Sequence, residues 1–222
     1  MSWWFVILIG FVWSTLISHF GASILLHRYY CHRQFHVPVW FEVVGLFMLM
    51  IAVIRSPIGW IASHRLHHQY ENTDDDPHSP NHIGIWKVLT TTWTIDRIPI
   101  RFSKDLYKNP RLVFCHKHWK KIMIAVWIIS LLIGFKFFVA FALMPFLHAK
   151  IGFGLLNTVT HIGNEVRNVG WLDFLIAGEG YHKNHHLNHK RIILSNHDTG
   201  GMIVKLLIKY GVFDELQNRK NS

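Results

Sequence analysis

Two long apolar stretches dominate the polarity pattern of the chain. Trp3 to Leu26 contains no Lys, Arg, Asp or Glu, and Ile122 to His161 contains only Lys136 and Lys150 as charged residues. About 20 apolar residues cross the hydrocarbon of a bilayer. The first stretch therefore predicts one membrane span over residues 3–26. The second is long enough for two spans within 120–161, at about 1.5 Å per residue. Their turn is expected between Lys136 and Lys150, near Met144-Pro145. The first stretch lacks the basic flank of a signal peptide, so it is read as a retained span.

A third apolar stretch, Val39 to Ile54, lies between polar segments that share a chemical pattern. A single crossing there would separate them, so it is expected to form an interfacial helix over about 39–55. Asp74-Asp75-Asp76-Pro77 reads as a loop, since Asp and Pro disfavour helix interiors. From Gly201 to Tyr210, Ile203, Leu206, Leu207 and Tyr210 recur at helical spacing opposite Lys205 and Lys209. That pattern suits an amphipathic surface helix or ordinary core packing.

The polar segments carry histidine clusters: His27 and His32, His64-Arg65-Leu66-His67-His68, and His182-Lys183-Asn184-His185-His186. A fourth element, Asn157 to His161, ends the last span. On a helix, HxxHH sets three rings on one face. Multiplying residue frequencies gives roughly 0.1 such motifs for a chain of this composition, against two present. Imidazole ligates Fe, Zn, Cu and Ni. With His161 the clusters supply nine candidate ligands, close to four or five for each of two ions. An α-helix would hold His27 and His32 about 140° apart, so this pair is expected to straddle a helix end. Asp76, Glu179 and Asp198 are candidates to bond the second ring nitrogens. Zinc and copper stay open on ligand type alone, but nine ligands beside a membrane favour a redox pair that activates dioxygen.

The remaining composition refines this picture. Net charge is +10, and 21 of the 23 basic residues lie outside the two long apolar stretches. That asymmetry places the clusters on the cytoplasmic face by the positive-inside rule. No basic stripe or recognised module supports nucleic-acid binding. Cys31 and Cys115 offer no disulfide framework. The expected architecture is a single-domain, all-α, multi-pass integral membrane protein over residues 1–222. A few membrane helices would carry a cytoplasmic helical cap with a histidine-rich di-metal site.

From about Gly21 onward, the chain resembles the integral-membrane fatty acyl desaturases of the stearoyl-CoA (delta-9) type. The resemblance rests on the HRxxxHR start at His27 and the HRxHHxY run from His64 to Tyr70. It extends to Asp76-Pro77-His78-Ser79-Pro80, NxxxH at Asn157, and GEGYHKNHH from Gly178 to His186. It implies that His27, His32, His64, His67, His68, His161, His182, His185 and His186 ligate two Fe ions, with Asn157 reaching one through water. It also implies removal of two hydrogens from a saturated acyl chain, giving a cis double bond, with O2 and two electrons. The chain would lie in a bent apolar tunnel near Trp60.

Departures from the family pattern are also present. The chain starts too late for the additional span that precedes the first box in animal members. It lacks the usual Phe-Pro after His186, although Asp198-Thr199-Gly200 resembles a later element. Ala62 stands where some relatives carry a basic residue. The expected substrate is accordingly an acyl-CoA or an acyl chain on a membrane lipid. Electrons are expected from a separate donor of ferredoxin or cytochrome b5 type. A membrane hydroxylase using the same boxes, and a haem- or metal-binding membrane protein, are the alternative readings.

Overall fold

The computed structural model describes residues 2–95, 97–163 and 165–216 and is predominantly helical. Helix α1 (Trp3–Leu16) continues without a break into a π-helical segment (Ile17–Cys31). Together they form one rod of 29 residues, Trp3–Cys31, long and apolar enough to cross a membrane. A short strand β1 (Phe35–His36) leads to α2 (Val39–Ile51), which turns back against the π segment, and α3 (Pro57–Tyr70) returns toward the histidines. Thirteen residues rise only about 20 Å, short of a full crossing. Short helices α4 (Pro80–Ile83) and α5 (Ile85–Leu89) come next.

Helix α6 (Pro110–Ile133) is capped by the Asn109 side chain, which accepts from the backbone N–H groups of Arg111 and Leu112. It ends at Gly134, whose φ of +149° lies in the region that only glycine enters freely. Helix α7 (Phe135–Phe138), a π turn (Val139–Leu143) and α8 (Met144–His161) then make a second rod, Phe135–His161, of 27 residues that also meets the length and apolarity of a span. The turn is thus at Gly134, not near Met144-Pro145 as the sequence suggested. Pro145 sits inside the rod, directly after the π turn, where the widened backbone accommodates the missing N–H.

The far ends of the rods meet. Trp3 packs edge-on against Phe135 at 6.2 Å, and the Lys136 ammonium lies 5.3 Å from the Trp3 ring. Exposed large apolar residues face outward on α1 as far as Leu16, on the second half of α6, and on Phe135, Leu147 and Ile151 of the second rod. Val39, Trp40, Val43, Val44 and Phe47 do the same on α2. Contiguous apolar surface of this kind suits a membrane environment.

The opposite, polar end holds α3, α9 (His182–Leu187) and α10 (Thr199–Lys209). Strand β2 (Asp214–Glu215) pairs antiparallel with β1. The main core joins Ile24, Leu25, Leu46, Leu49, Ile58, Ile61, Leu112 and Val204, from the π segment, α2, α3, α6 and α10. Glu42, buried on α2, ties this core to the first histidine segment. Tyr30 Oη and Asn109 Nδ2 donate to its Oε1, while Arg111 Nε and Nη2 bond Oε2 at 2.7 and 2.6 Å.

Candidate metal centre

Nine histidines converge in two sets. His27, His32, His64, His68 and His185 form one; His67, His161, His182 and His186 form the other. Within each set, the candidate ligand atoms lie within 4.8 Å of one another. The π geometry explains how the first box contributes both rings. With i→i+5 bonding, seen directly as His32 N–H to the His27 carbonyl at 3.2 Å, five residues advance a ring pair to within about 50° of alignment instead of about 140°.

The five Nε2 atoms of the first set make a closed cycle. His27–His32 and His27–His185 are 3.1 Å apart; His32–His64, His64–His68 and His68–His185 are 3.0 Å apart. Hydrogen bonding does not account for this ring. A donor nitrogen has no lone pair left to accept, so an odd cycle cannot alternate donors and acceptors. Lone pairs turned toward one cation do account for it. Adjacent ligands at right angles, each about 2.1 Å from a metal, stand about 3.0 Å apart.

In the second set His67 Nε2 and both nitrogens of His161 are buried without a hydrogen-bond partner. His182 and His186 Nε2 are 3.1 Å apart. Buried orphan acceptors are costly in protein interiors, and a shared ion satisfies them. The donor sets therefore fit two metal ions with imidazole ligation. Burial, followed by the neighbouring histidines, pushes His64, His67, His182 and His185 well below the ordinary imidazole value. Each is thereby held in the neutral, ligating form.

Carboxylates fix several rings from behind, leaving Nε2 for the metal. Asp76 accepts from His67 Nδ1 at 2.9 Å and from the backbone N–H of Asn72 and His78. His27 Nδ1 lies 3.1 Å from Glu179 Oε2. Burial alone would raise the Glu179 carboxyl, but His27, Arg28 and the Ser23 hydroxyl hold it at about 2. Asp198 plays a different part from the one expected of it. It bonds Arg28 Nη2 at 2.9 Å and caps α10 through Gly201 N–H at 2.7 Å, reaching no histidine. Gly178, with φ of +83°, lets the loop carrying Glu179 lie against Asp198, because a Cβ there would fall 2.6 Å from the Asp198 Cα.

Sequence reasoning missed four groups. Arg28 is buried, bonds Glu179 and Asp198, and donates to the Ile192 carbonyl, locking the first box to the third. A guanidinium in an apolar helix must be paired, which was a readable signal. Glu71 takes His186 Nδ1; it lies three residues after His68, at the C-cap of α3. Asp173 accepts from Gly180 N–H at 2.7 Å and Ser195 Oγ at 2.8 Å, shaping the loop before α9. His78 is buried against His67, their ring centroids 4.2 Å apart. Only its place in DPHSP hinted at this.

An apolar cleft with about 970 Å³ of empty space opens onto both sets, being lined by His27, His64 and His182. Leu26, Trp60, Phe153 and Leu156 form its walls near the histidines, and it continues between α1 and α8 to Ser14 and Pro145. Trp60 is stacked on His64 at 5.1 Å with planes 7° apart. Asn157 also faces the cleft. Its Nδ2 donates to the Phe153 carbonyl at 2.8 Å, leaving Oδ1 as the atom able to hold a water. Ala62 is buried in a separate cluster with Leu66 and Phe102.

Comparison with known proteins identifies the lineage. The fatty acid desaturase family model matches residues 2–191. The sn-1 stearoyl-lipid 9-desaturase of Anabaena variabilis is 30% identical over 201 residues, covering 82% of this chain and 72% of its own. Delta-9 acyl-lipid desaturase 1 of Arabidopsis thaliana is 28% identical, covering 80% and 65%. A second sn-1 stearoyl-lipid 9-desaturase, from Synechocystis, is 28% identical, covering 82% and 61%. The chain thus spans between about three fifths and three quarters of these relatives. It belongs to the fatty acid desaturase family, oxidoreductases acting on fatty acyl chains, and its relatives are of the delta-9 type.

Proposed function

We propose that this protein inserts a cis double bond at the delta-9 position of a saturated acyl chain carried on a membrane lipid, using O2 and two electrons from a separate donor. The observation that carries the reading is the apolar cleft lined by ligand histidines of both sets. Two Fe ions held by the nine histidines, with Asn157 acting through water, would supply the oxidative attack on an unactivated C–H bond that side chains lack. The chain's own residues do the rest. Trp60, Phe153 and Leu156 hold the alkyl segment against the histidines and exclude water, while Asp76, Glu71 and Glu179 fix ring orientation.

The names of the relatives favour a lipid-linked substrate over acyl-CoA, as does Ala62 in place of a basic residue. Two crossings by the α6–α8 hairpin and one by α1 would set all histidines on the cytoplasmic face, where a ferredoxin or cytochrome b5 type donor has access. Expression in a host lacking its own desaturase, followed by lipid analysis, tests the assignment. A new delta-9 monounsaturated chain, absent with His67→Ala, is the expected result. Hydroxylated chains alone, or unchanged lipids from protein carrying about two Fe per chain, would overturn it.

A further inference from the structure

Among the described residues, Arg55 is the one permanent cation that lines the cleft. Half-buried between α2 and α3, it sits beside Ile54 and Val53, in a wall that is otherwise mostly apolar. Its guanidinium lies 3.8 Å over the Trp93 ring and spends a single N–H on the Trp93 carbonyl, Nη2 to O at 2.6 Å. No carboxylate among the described residues pairs with it. Several other polar groups of the wall are already committed: Ser14 to Gly10 O, Ser23 to Glu179, His148 to Leu175 O, and Asn157 Nδ2 to Phe153 O. A guanidinium has five N–H donors in a fixed fork, so Arg55 retains unspent donors beside an apolar channel. Such a cation is costly unless an oxygen acceptor meets it.

We propose that Arg55 binds the oxygens at the carboxyl end of the acyl substrate and so sets which carbon reaches the histidines; this rests on the desaturase reading. The dimensions agree. From Pro57, two residues after Arg55, to His64 the helix rises about 10 Å. An alkyl chain advances about 1.25 Å per carbon at C–C bonds of about 1.5 Å, so C1 to C9 also spans about 10 Å. With ester oxygens on Arg55, the ninth and tenth carbons lie at His27, His64 and His182. The methyl half then has the remainder of the cleft toward Ser14 and Pro145. Depth agrees as well. Ala52, three residues before Arg55, packs with Ile17, just past Leu16, where outward-facing large apolar residues on the first rod stop. That level is where the esters of a bilayer lipid meet water. The anchored group is therefore an ester carbonyl, with the neighbouring phosphate of an anionic headgroup as a second acceptor.

The test uses full-length protein in dioleoylphosphatidylcholine nanodiscs. 1-Stearoyl-2-oleoyl-phosphatidylglycerol, the matching phosphatidylcholine, stearoyl-CoA and stearic acid are the probes. The comparison is among wild type, Arg55→Gln and Arg55→Lys. Arg55→Gln should raise KM for the stearoyl phospholipids at least tenfold with kcat within about twofold, and spread the product double bond to carbons beside the ninth. Arg55→Lys should recover part of the KM but not the single position. Quenching of Trp fluorescence by a 9,10-dibromostearoyl phospholipid, read without turnover, should weaken in parallel. A larger effect on phosphatidylglycerol than on phosphatidylcholine identifies the net negative charge of the headgroup as the second contribution; an equal effect assigns the ester and phosphate oxygens that both lipids carry. Unchanged KM, quenching and double-bond position in Arg55→Gln would overturn the proposal and leave Arg55 as a clamp on Trp93. So would a KM effect confined to stearoyl-CoA or stearic acid. Arg55-dependent quenching in a protein that makes no unsaturated product would instead sink the desaturase reading and leave standing only the binding of acyl-end oxygens at Arg55.

Discussion

At the scale of single residues, the second set of histidines depends on carboxylates that bond ring nitrogens other than Nε2. Asp76 accepts from His67 Nδ1 in a fully buried pair, and Glu71 takes His186 Nδ1. Losing such a partner lowers metal affinity by about 10- to 100-fold. Asp76→Asn and Glu71→Gln should therefore each release metal from the His67/His161/His182/His186 set during mild chelation. The His27/His32/His64/His68/His185 set, backed by Glu179, should keep its ion. Metal analysis should then give about one ion per chain in each variant against about two in the wild type. Equal loss from both sets would show that the sets do not load independently. The histidines and two of the three acids were legible as isolated letters, because ligand chemistry is local. The pairing of Arg28 with Asp198 was not, since those residues are 170 positions apart and only the fold makes them neighbours.

At the scale of elements, the first box is held by geometry that helical periodicity does not encode. On a straight helix at about 100° per step His27 and His32 would diverge, and the helix end expected between them falls at Cys31, with His32 as the C-cap; nothing in Ile17–Cys31 marks the i→i+5 bonding that also draws the rings together. The second rod gives the converse case. Pro145 is the conspicuous breaker in the sequence, yet the chain turns at Gly134, because a positive φ is needed at the turn itself while the π turn relieves the proline. The segment after the first box is fixed electrostatically. Asp105 bonds Arg33 at 2.5 Å and Arg65 at 2.8 Å, and Arg65 also donates to the Tyr30 and Phe102 carbonyls. Partial burial alone would raise the Asp105 carboxyl. The two guanidiniums outweigh that and hold it below its ordinary value. A carboxylate with a depressed folded-state pKa stabilises above its unfolded pKa, and the contribution disappears as pH falls through the folded value. Thermal melts in detergent should therefore show wild type above Asp105→Asn near pH 6, the gap closing below about pH 4. A gap that stays constant as pH falls below about 4 would mean that packing, not charge, links these segments.

At the scale of the whole molecule, the arrangement of the rods produces two ends with opposite solvation. Trp3, Phe135 and Lys136 meet at one end, and His27, His32 and His161 lie at the other, on the last turns of both rods or directly after them. Gly134 is the point at which α6 and the second rod reverse, and two crossings by that hairpin would return His161 to the side of His64. The basic residues gather at the histidine end, and by the positive-inside rule we propose that this end faces the cytoplasm. Single cysteines at Lys136 and Lys104, in a background with Cys31 and Cys115 replaced by serine, read this orientation directly. A membrane-impermeant maleimide applied to intact cells should label Lys136→Cys and leave Lys104→Cys untouched until the cells are lysed. Labelling of both from outside would put the metal sets beyond the reach of a cytoplasmic electron donor. Labelling of neither before lysis would mean that the α6–α8 hairpin enters the bilayer without crossing it, and that the apolar end is buried in one leaflet.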